Sequence, residues 1–290
     1  MDELFRQYLA DGERAGRRFT IGVPRSIQRG LYGGHMGNRS GSSLEYMDHR
    51  EYIPGDDLRR IDWNVFARSD KLAIKLFRDE VNPHVDIVID CSRSMSLPQS
   101  QKACATLGLA GIFAQASINT DYSYTAWHVK QTCEKILNGA DRPMLWEGID
   151  FESSSDCMEC FSRYVPPWRP RGIRVLISDL FWPGEPMATL SVLAERASAV
   201  FVVQVLAQSD VEPPQRGHIR LRDCETFELK DIYIDASLQK KYRQNLAIHQ
   251  HNWNRGCRQI QAVMTTIVAE SIVGEWKLDE LVSAEILKVQ

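Results

Sequence analysis

The segment HVDIVIDCSRSMS, residues 84–96, joins a strand pattern to a polar turn. Its first part, HVDIVID at 84–90, is an apolar and β-branched run that ends in an aspartate, which predicts a strand buried on both faces of a parallel sheet. Residues 100–118, SQKACATLGLAGIFAQASI, are apolar on most faces and predict a helix that packs against this sheet. The local prediction is therefore a strand, a serine-rich turn and a buried helix.

The same alternation continues towards the end of the chain. Strand patterns recur at residues 122–130, 173–180, 198–207, 218–228 and 260–268. Helical patterns lie between most of them, and a closing helix is predicted at 275–288. Alternating strands and helices of this kind predict an α/β fold with an open, doubly wound and mostly parallel sheet.

The first part of the chain has a different character. Residues 2–16 predict a polar helix with few apolar contacts, and residues 29–43 are rich in glycine. Because no GK[ST] follows these glycines, a turn-rich connector is favoured over a phosphate-binding loop. We therefore expect two regions, an N-terminal region over residues 1–81 and an α/β domain over residues 82–290.

Length, composition and charge indicate an ordinary globular protein. The 290 residues are 43% hydrophobic and 25% charged, which is enough to form a core without disulfides. The net charge of −3 gives no overall attraction to nucleic acid or to an anionic membrane. The chain has seven cysteines, no signal-peptide pattern at its start and no apolar window of the roughly 18 residues that cross a bilayer. These features predict a protein of the reducing cytoplasm with no membrane span.

Aspartates end two of the predicted strands, Asp90 and Asp179. In open parallel sheets ligands bind outside the carboxyl ends of the strands, so both aspartates are expected at one edge. The turn DCSRS can direct the Asp90 carboxylate and the hydroxyls of Ser92 and Ser94 towards a common point. Such a set of oxygens suits Mg²⁺ or Mn²⁺. Taken alone, an aspartate and two serines after a strand can equally cap a helix.

The pattern DIVIDCSRSMS resembles the metal-ion-dependent adhesion site of von Willebrand factor A domains, whose D-x-S-x-S loop follows the first strand of the sheet. The resemblance implies that Ser92 and Ser94 bind the metal directly, and that Asp90 holds a bound water or orients the serines. It also implies that Asp179, in ISDL, is the second and more distant aspartate. Ser155, in SSSDCMECF just before a predicted helix, is the best counterpart of the family's threonine.

The stretch REYIPGDDLRRIDWNVFARSDKLAIKLFRDE, residues 50–80, is dense in charge. It predicts a short helix anchored by Ile61 and Trp63, followed by a strand at 71–77. Its charges fit a salt-bridged, solvated surface and a docking surface equally well. The residues alone do not choose between these two interpretations.

Together with HVDIVIDCSRSM, this charged stretch resembles the bacterial DUF58 family, a von Willebrand A-like group with the signature Y-x-P-G-D-D-x-R-x-I-D-W. The resemblance implies a non-enzymatic adaptor that acts with a MoxR-type AAA+ ATPase in remodelling or maturing other protein complexes. A metal held by neutral hydroxyls keeps much of its positive charge, so a carboxylate of a protein partner can complete its shell. We therefore expect metal-dependent protein binding.

The main alternative is a Mg²⁺-dependent phosphohydrolase that uses Asp90 as its nucleophile. Haloacid-dehalogenase-like phosphatases place an aspartate after a strand in this way, but they require a second acid two residues later. Ser92 occupies that position here, so the general acid is missing. A Ser-His-Asp hydrolase is also disfavoured, because no G-x-S-x-G motif is present.

Two other patterns could carry chemistry. Cys157 and Cys160 have C-x-x-C spacing, which fits a redox pair, or half of a zinc site that His249 and His251 would complete. Two reduced cysteines on a helix and two exposed histidines are the simpler interpretation. Tryptophans beside arginines, as in VPPWRPRG at 165–172, could contact nucleic acid, but no recognised motif supports this.

Overall fold

The structure is a computed structural model, and it describes residues 2–22, 46–54, 56–77, 84–155, 157–212, 214–224 and 227–290. In chain order, the helices of these residues are α1 (Glu3–Gly16), α2 (Trp63–Ser69), α3 (Lys102–Asn119), α4 (Cys157–Arg163), α5 (Pro186–Ala194), α6 (Gln208–Val211), α7 (Ala236–Gln259), α8 (Ala269–Ile272) and α9 (Asp279–Ser283). The strands are β1 (Phe19–Ile21), β2 (Tyr46–Glu51), β3 (Ala73–Phe77), β4 (His84–Asp90), β5 (Ser123–Val129), β6 (Cys133–Lys135), β7 (Ile173–Ser178), β8 (Ala199–Leu206), β9 (Gly217–Arg222), β10 (Leu229–Ile234), β11 (Val263–Val268) and β12 (Leu287–Val289). The glycine-rich residues 29–43 lie outside the described part of the chain.

A six-stranded sheet forms the centre of the fold, with the strand order β11-β8-β7-β4-β5-β6. Neighbouring strands pair in parallel except for β6, which is antiparallel to β5. Strand β4 lies inside the sheet and all of its residues are buried, as its apolar run predicts. The prediction of an α/β fold with a mostly parallel sheet is confirmed.

Helices cover both faces of this sheet and enclose two apolar clusters. On one face α3 packs across the central strands, and Ile87 and Ile89 of β4 lie in its cluster. On the other face, Val88 of β4 lies in a cluster with Leu190 of α5 and Trp253 of α7. Among the described residues, no helix combines the length and the apolar character that crossing a membrane requires.

Helix α1 packs closely on α3. Leu9 is fully buried, and a Cβ atom on Gly12 would lie 2.0 Å from the carbonyl oxygen of Gly108, so the two backbones touch. The expectation of a polar helix with few apolar contacts is wrong, because a narrow stripe of small and apolar residues runs along this mostly polar helix. After α1, strand β1 pairs antiparallel with β12, at the other end of the chain.

The chain divides into two compact units. Of the described residues, 2–22 and those from 84 onward form the larger unit, and those between 46 and 77 form the smaller one. This division differs from the expected regions 1–81 and 82–290. The physical reason is that α1 and β1 bury their apolar side chains against α3 and β12, within the α/β domain.

The smaller unit contains the antiparallel pair of β2 and β3, and α2. Asp62 caps α2 by accepting hydrogen bonds from the backbone N–H groups of Asn64 and Val65, at 2.9 and 3.3 Å. Ile61 is buried, as expected. Trp63 is the first residue of α2 and is 63% exposed, so its predicted role as an apolar anchor is wrong.

Two predictions for the last third of the chain are also wrong. Residues 218–228 do not form a single strand, because the chain turns back and pairs β9 with β10 in an antiparallel hairpin. The closing helix at 275–288 is replaced by the short helix α9 and by strand β12. The ladder between β12 and β1 joins residues from opposite ends of the chain, which local periodicity cannot predict.

Candidate metal centre

Asp90 and Asp179 lie at the carboxyl end of two neighbouring strands, as predicted. Strands β4 and β7 pair in parallel, so Asp90 at the end of β4 lies beside Ser178 at the end of β7. The Ser178 hydroxyl donates a hydrogen bond to Asp90 Oδ2 at 2.5 Å, and the backbone N–H of Ser92 donates to Asp90 Oδ1 at 2.9 Å. Only 1% of the Asp90 surface is exposed. Its carboxylate therefore holds the start of the serine loop and the end of β7 together.

The serine loop, residues 91–96, brings two hydroxyls together. The Oγ atoms of Ser92 and Ser94 are 3.0 Å apart and form a hydrogen bond. Ser92 is buried, while Ser94 is half-buried. A 3-10 turn over Arg93–Ser96 follows Ser92, and Ser92 makes no side-chain cap of that turn. The side chain of Ser92 therefore does not act as a helix cap in this loop.

The backbone directly after Asp179 adopts an unusual conformation. The next residue, Leu180, has a φ of 63°, a region that costs a non-glycine residue about 1 kcal/mol or more. Burial of the Leu180 side chain stabilises this turn. The backbone N–H of Phe181 then donates to Asp179 Oδ1 at 3.0 Å, and the amide side chain of Gln204 donates to the Asp179 carbonyl at 3.1 Å.

The second oxygen of Asp179 is bound by a lysine that the sequence analysis does not single out. Lys102 Nζ, from the first residue of α3, is 2.8 Å from Asp179 Oδ2 and 3.2 Å from Asp210 Oδ2. Both Lys102 and Asp179 are 1% exposed. Burial alone would lower the pKa of Lys102, but Asp179 and Asp210 raise it above its usual value. Lys102 is therefore a buried and fully charged ammonium.

The electrostatic balance of this edge is negative. Burial, and then the nearby charge of Asp179, raise the pKa of Asp90 from its usual value of 3.8 to about 6, against the hydrogen bonds from Ser178 and Ser92. Lys102 is the one cation paired with Asp179 and Asp210, and it makes no contact with Asp90 among the described residues. The three carboxylates therefore exceed the local positive charge.

Ser155 lies on a loop that is fastened to the serine loop. Ser92 and Ser153 form a parallel bridge, in which the Arg93 N–H donates to the Ser153 carbonyl at 2.9 Å and the Ser153 N–H donates to the Cys91 carbonyl at 3.2 Å. The backbone N–H of Ser155 donates to Ser153 Oγ at 3.2 Å. Ser153, which the sequence analysis does not name, is thus the residue that aligns this loop, and Ser155 follows it two residues later.

The oxygens of this edge fit a hard divalent cation. Neighbouring ligands around an octahedral Mg²⁺ with bonds of about 2.0–2.1 Å are about 3 Å apart, which matches the 3.0 Å between the hydroxyls of Ser92 and Ser94. Within the described residues no three His, Cys, Asp or Glu side chains converge into a metal site of their own. A cation here would rest on the serine hydroxyls, with the buried carboxylates of Asp90 and Asp179 following the two neighbouring strands.

The C-x-x-C pair does not belong to this edge. Cys157 and Cys160 are fully buried in the apolar cluster of α4, α5 and α7. His249 is half-buried, with its ring 5.7 Å from the ring of Phe181, while His251 is exposed. The expectation that both histidines are exposed is therefore wrong for His249.

An arginine–aromatic cluster borders the serine loop. The guanidinium of Arg93, which is part of the loop, lies 5.2 Å from the ring centre of Phe227, and that of Arg222 lies 4.8 Å from the same ring. Phe227 is 49% exposed. In the part of the chain that the structure describes, no salt bridge joins either arginine to a carboxylate. This cluster gives the negative edge a positive and partly apolar rim.

Comparison with known proteins identifies the family. Residues 48–252 match a family described as "Protein of unknown function DUF58", which covers more than half of the chain. The chain belongs to this family.

Three mycobacterial relatives are each described as uncharacterized. An uncharacterized protein of Mycobacterium tuberculosis strain H37Rv, and one of Mycobacterium bovis, are each 25% identical over 260 residues, covering 83% of this chain and 80% of the relative. An uncharacterized protein of Mycobacterium avium is 34% identical over 101 residues, covering 35% of this chain and 59% of that protein.

The matching solved structures include two proteins of Bacteroides. One is a conserved hypothetical protein, BatB, from Bacteroides thetaiotaomicron, with a TM-score of 0.34, 13% identity and coverage of 70% of this chain and 98% of that one. The other is an aerotolerance-related membrane protein from Bacteroides fragilis, with a TM-score of 0.29, 14% identity and coverage of 61% and 99%. Likenesses of this size carry no argument about fold or function.

Proposed function

We propose that this DUF58 protein is a von Willebrand factor A-like adaptor, which binds a protein partner through a Mg²⁺ or Mn²⁺ ion and has no catalytic activity of its own. The observation that carries the proposal is the uncompensated negative charge around buried Asp90, next to two serine hydroxyls 3.0 Å apart. A site with excess negative charge and neutral oxygen ligands favours a divalent cation.

The residues of the site take different parts in this proposal. Ser92 and Ser94 bind the ion directly, and Ser155 adds a further hydroxyl from the adjacent loop. Asp90 and Asp179 hold water in the outer shell, because both oxygens of each carboxylate already accept hydrogen bonds from the protein. A bound ion would supply the positive charge that a carboxylate of the partner would meet.

The rim of the site supports an acidic partner. The guanidinium groups of Arg93 and Arg222 lie 5.2 and 4.8 Å from the ring centre of the exposed Phe227, so a partner carboxylate that reaches the ion would meet two guanidinium groups and an apolar ring. Charge attraction of this kind strengthens as water is excluded from the interface. Family resemblance favours a MoxR-type AAA+ ATPase as the partner, acting in the cytoplasm on a further protein complex.

The phosphohydrolase alternative receives no support from the position of Asp90. A nucleophilic carboxylate must reach a phosphorus atom in line, with an oxygen exposed to the substrate. The Asp90 carboxylate is buried, and its two oxygens are occupied by the Ser92 N–H and the Ser178 hydroxyl. This arrangement favours a positioning role for Asp90.

Calorimetric titration of the chelator-treated chain with Mg²⁺ and Mn²⁺ tests the metal site. We expect one bound ion in the wild type, and at least 100-fold weaker binding in Asp90→Asn and in the double variant Ser92→Ala with Ser94→Ala. Ser96→Ala is the matched control, because Ser96 belongs to the same loop but its hydroxyl donates to the Phe151 carbonyl. Equal affinity in all four proteins, with their circular dichroism unchanged, would remove the metal site.

The partner is tested separately. The tagged chain and the MoxR-type ATPase of the same genome are mixed in Mg²⁺ or in chelator, and complex formation is measured by analytical ultracentrifugation. We expect a complex in Mg²⁺ that is lost in chelator and with Asp90→Asn, and that Ser96→Ala retains. A complex that forms equally in chelator would contradict a metal-mediated contact.

A further inference from the structure

A buried lysine lies between two carboxylates immediately behind the proposed metal site. Lys102 Nζ is 2.8 Å from Asp179 Oδ2 and 3.2 Å from Asp210 Oδ2, and the Lys102 side chain is 1% exposed. We call Asp179, Lys102 and Asp210 the lysine triad. Its first member is a proposed site residue, whereas its third lies on α6 and is 16% exposed at its side chain.

Helix formation does not explain why a lysine stands at this position. Lys102 is the first residue of α3, where the positive end of the helix dipole opposes a cation. Removing an ammonium from water is also costly unless it is paired. The two carboxylates that converge on the lysine offset both effects, so its contacts are explained by the site and not by the helix.

Two cations can compete for the negative charge of Asp179. One is the buried ammonium of Lys102, and the other is a divalent ion from solution. Asp179 Oδ1 accepts the Phe181 N–H, and Oδ2 is bound by Lys102, so the ammonium offsets the negative charge that would otherwise attract a divalent ion. Asp210 shares the same ammonium and thereby leaves more of the Asp179 charge uncompensated. A second bond from the Ala207 N–H, at 2.8 Å, fixes the Asp210 carboxylate in this place.

We propose that Lys102 is a built-in competing cation that limits the metal affinity of the site, and that Asp210 sets the strength of this competition from outside the site. The inference rests on the proposed function. It adds one residue that competes with the metal ion and a second residue that changes the strength of this competition. It predicts opposite effects for two neighbouring substitutions. Loss of the Lys102 charge tightens metal binding, and loss of the Asp210 charge weakens it.

The test is a double-mutant cycle on the full chain, with Mn²⁺ and Mg²⁺ dissociation constants from calorimetry. We expect Lys102→Met to bind Mn²⁺ at least tenfold more tightly than the wild type, and Asp210→Asn to bind it at least threefold more weakly. Because Asp210 acts through Lys102, Asp210→Asn should change the affinity less than twofold in the Lys102→Met background. Glu212→Gln, in the exposed residue that follows α6, is the control and should leave the affinity within twofold.

A second measurement covers the case in which Lys102→Met folds poorly. Thermal unfolding in chelator should occur at a lower temperature in Lys102→Met than in the wild type, and Mn²⁺ should restore more of the transition temperature in the variant. If Lys102→Met is unfolded even with Mn²⁺, Asp210→Asn decides alone, and unchanged or tighter binding in that variant overturns the inference.

The outcomes separate this inference from the proposed function. If the wild type binds metal but neither substitution changes the affinity in the expected direction, the inference is overturned and the proposed metal site is still supported. Binding by Lys102→Met but not by the wild type supports the lysine as the competing cation and contradicts the native metal site. Absence of binding in every variant contradicts both.

Discussion

Strand β4 carries two buried aspartates that differ in their electrostatic surroundings. Asp86 and Asp90 are each 1% exposed, and they lie on the same face of the strand. One oxygen of Asp86 accepts from the Trp127 indole N–H at 2.8 Å and lies 3.4 Å from His84 Nε2, and Arg174 is close enough to interact with its charge. Asp90 instead lies beside a second carboxylate. Burial is equal at the two positions, so among the described residues the two aspartates differ in the charge that acts on them, which is a carboxylate at Asp90 and a buried arginine at Asp86.

The largest effect is expected from Asp86→Asn, which removes the charge that faces Arg174. Arg174 is buried, and burial lowers its pKa while Asp86 raises it. No salt bridge joins Asp86 to Arg174, whereas breaking a buried ion pair on one side typically costs about 3–5 kcal/mol, so we expect a loss at the lower end of this range in the free energy of unfolding. Urea unfolding at pH 7.5 measures it.

The same variant should leave metal binding within twofold of the wild type, because Asp86 belongs to the other end of the strand. If Asp86→Asn instead removed metal binding in a protein that remains folded, the contrast between the two aspartates would fail.

The pH dependence of stability tests Asp90. Its pKa in the folded protein, about 6, lies above its usual value of 3.8, so the folded chain binds a proton there more strongly than the unfolded chain. The associated stability is complete below about pH 4 and is lost as the pH rises through 6, which amounts to about 3 kcal/mol. Asp90→Asn removes this loss, since the amide resembles the protonated acid.

Without metal, Asp90→Asn should therefore match the wild type near pH 4 and exceed it by about 3 kcal/mol at pH 7.5. Urea unfolding in chelator at a series of pH values gives this difference. Adding Mn²⁺ at pH 7.5 should then stabilise the wild type only. If the difference in the free energy of unfolding between the two proteins did not vary with pH, the pKa of Asp90 would not be raised in the folded protein.

The smallest effect is expected from Ser155→Ala. If its hydroxyl is a further ligand, the affinity for Mn²⁺ should fall about three- to tenfold, while stability changes by less than about 0.5 kcal/mol, as is usual for a site outside the core. Ser154→Ala, in the exposed neighbouring residue, is the control. Equal affinities in the two variants would exclude Ser155 from the site.

Local pattern is sufficient to predict the central strands and the two aspartates. Buried parallel strands are continuous apolar runs, and the residues that end them must meet at one edge, so Asp90 and Asp179 follow from HVDIVID and IRVLISDL directly. The serine loop follows from the same segment. These features depend on residues that are close in sequence.

Features that depend on distant partners are not predicted. Lys102 is part of a run that indicates a buried helix, and its one sequence signal is a charged residue in the first turn of an otherwise apolar segment. Asp210 reaches Lys102 only because β8 and α6 bring it there. Ser153 is one of three consecutive serines, and only its bridge to Ser92 distinguishes it from the others.

The pairing of β1 with β12 has a consequence for how the chain could be divided. Because α1 and β1 precede the smaller unit in sequence but pack against α3 and β12, the chain crosses from the larger unit to the smaller one and back again. A single backbone cut introduced inside the smaller unit would give two fragments that each hold part of the α/β domain. The shorter fragment would still bind the longer one through the Gly12–Gly108 contact and through the pairing of β1 with β12. The two fragments should therefore behave as a complementing split protein.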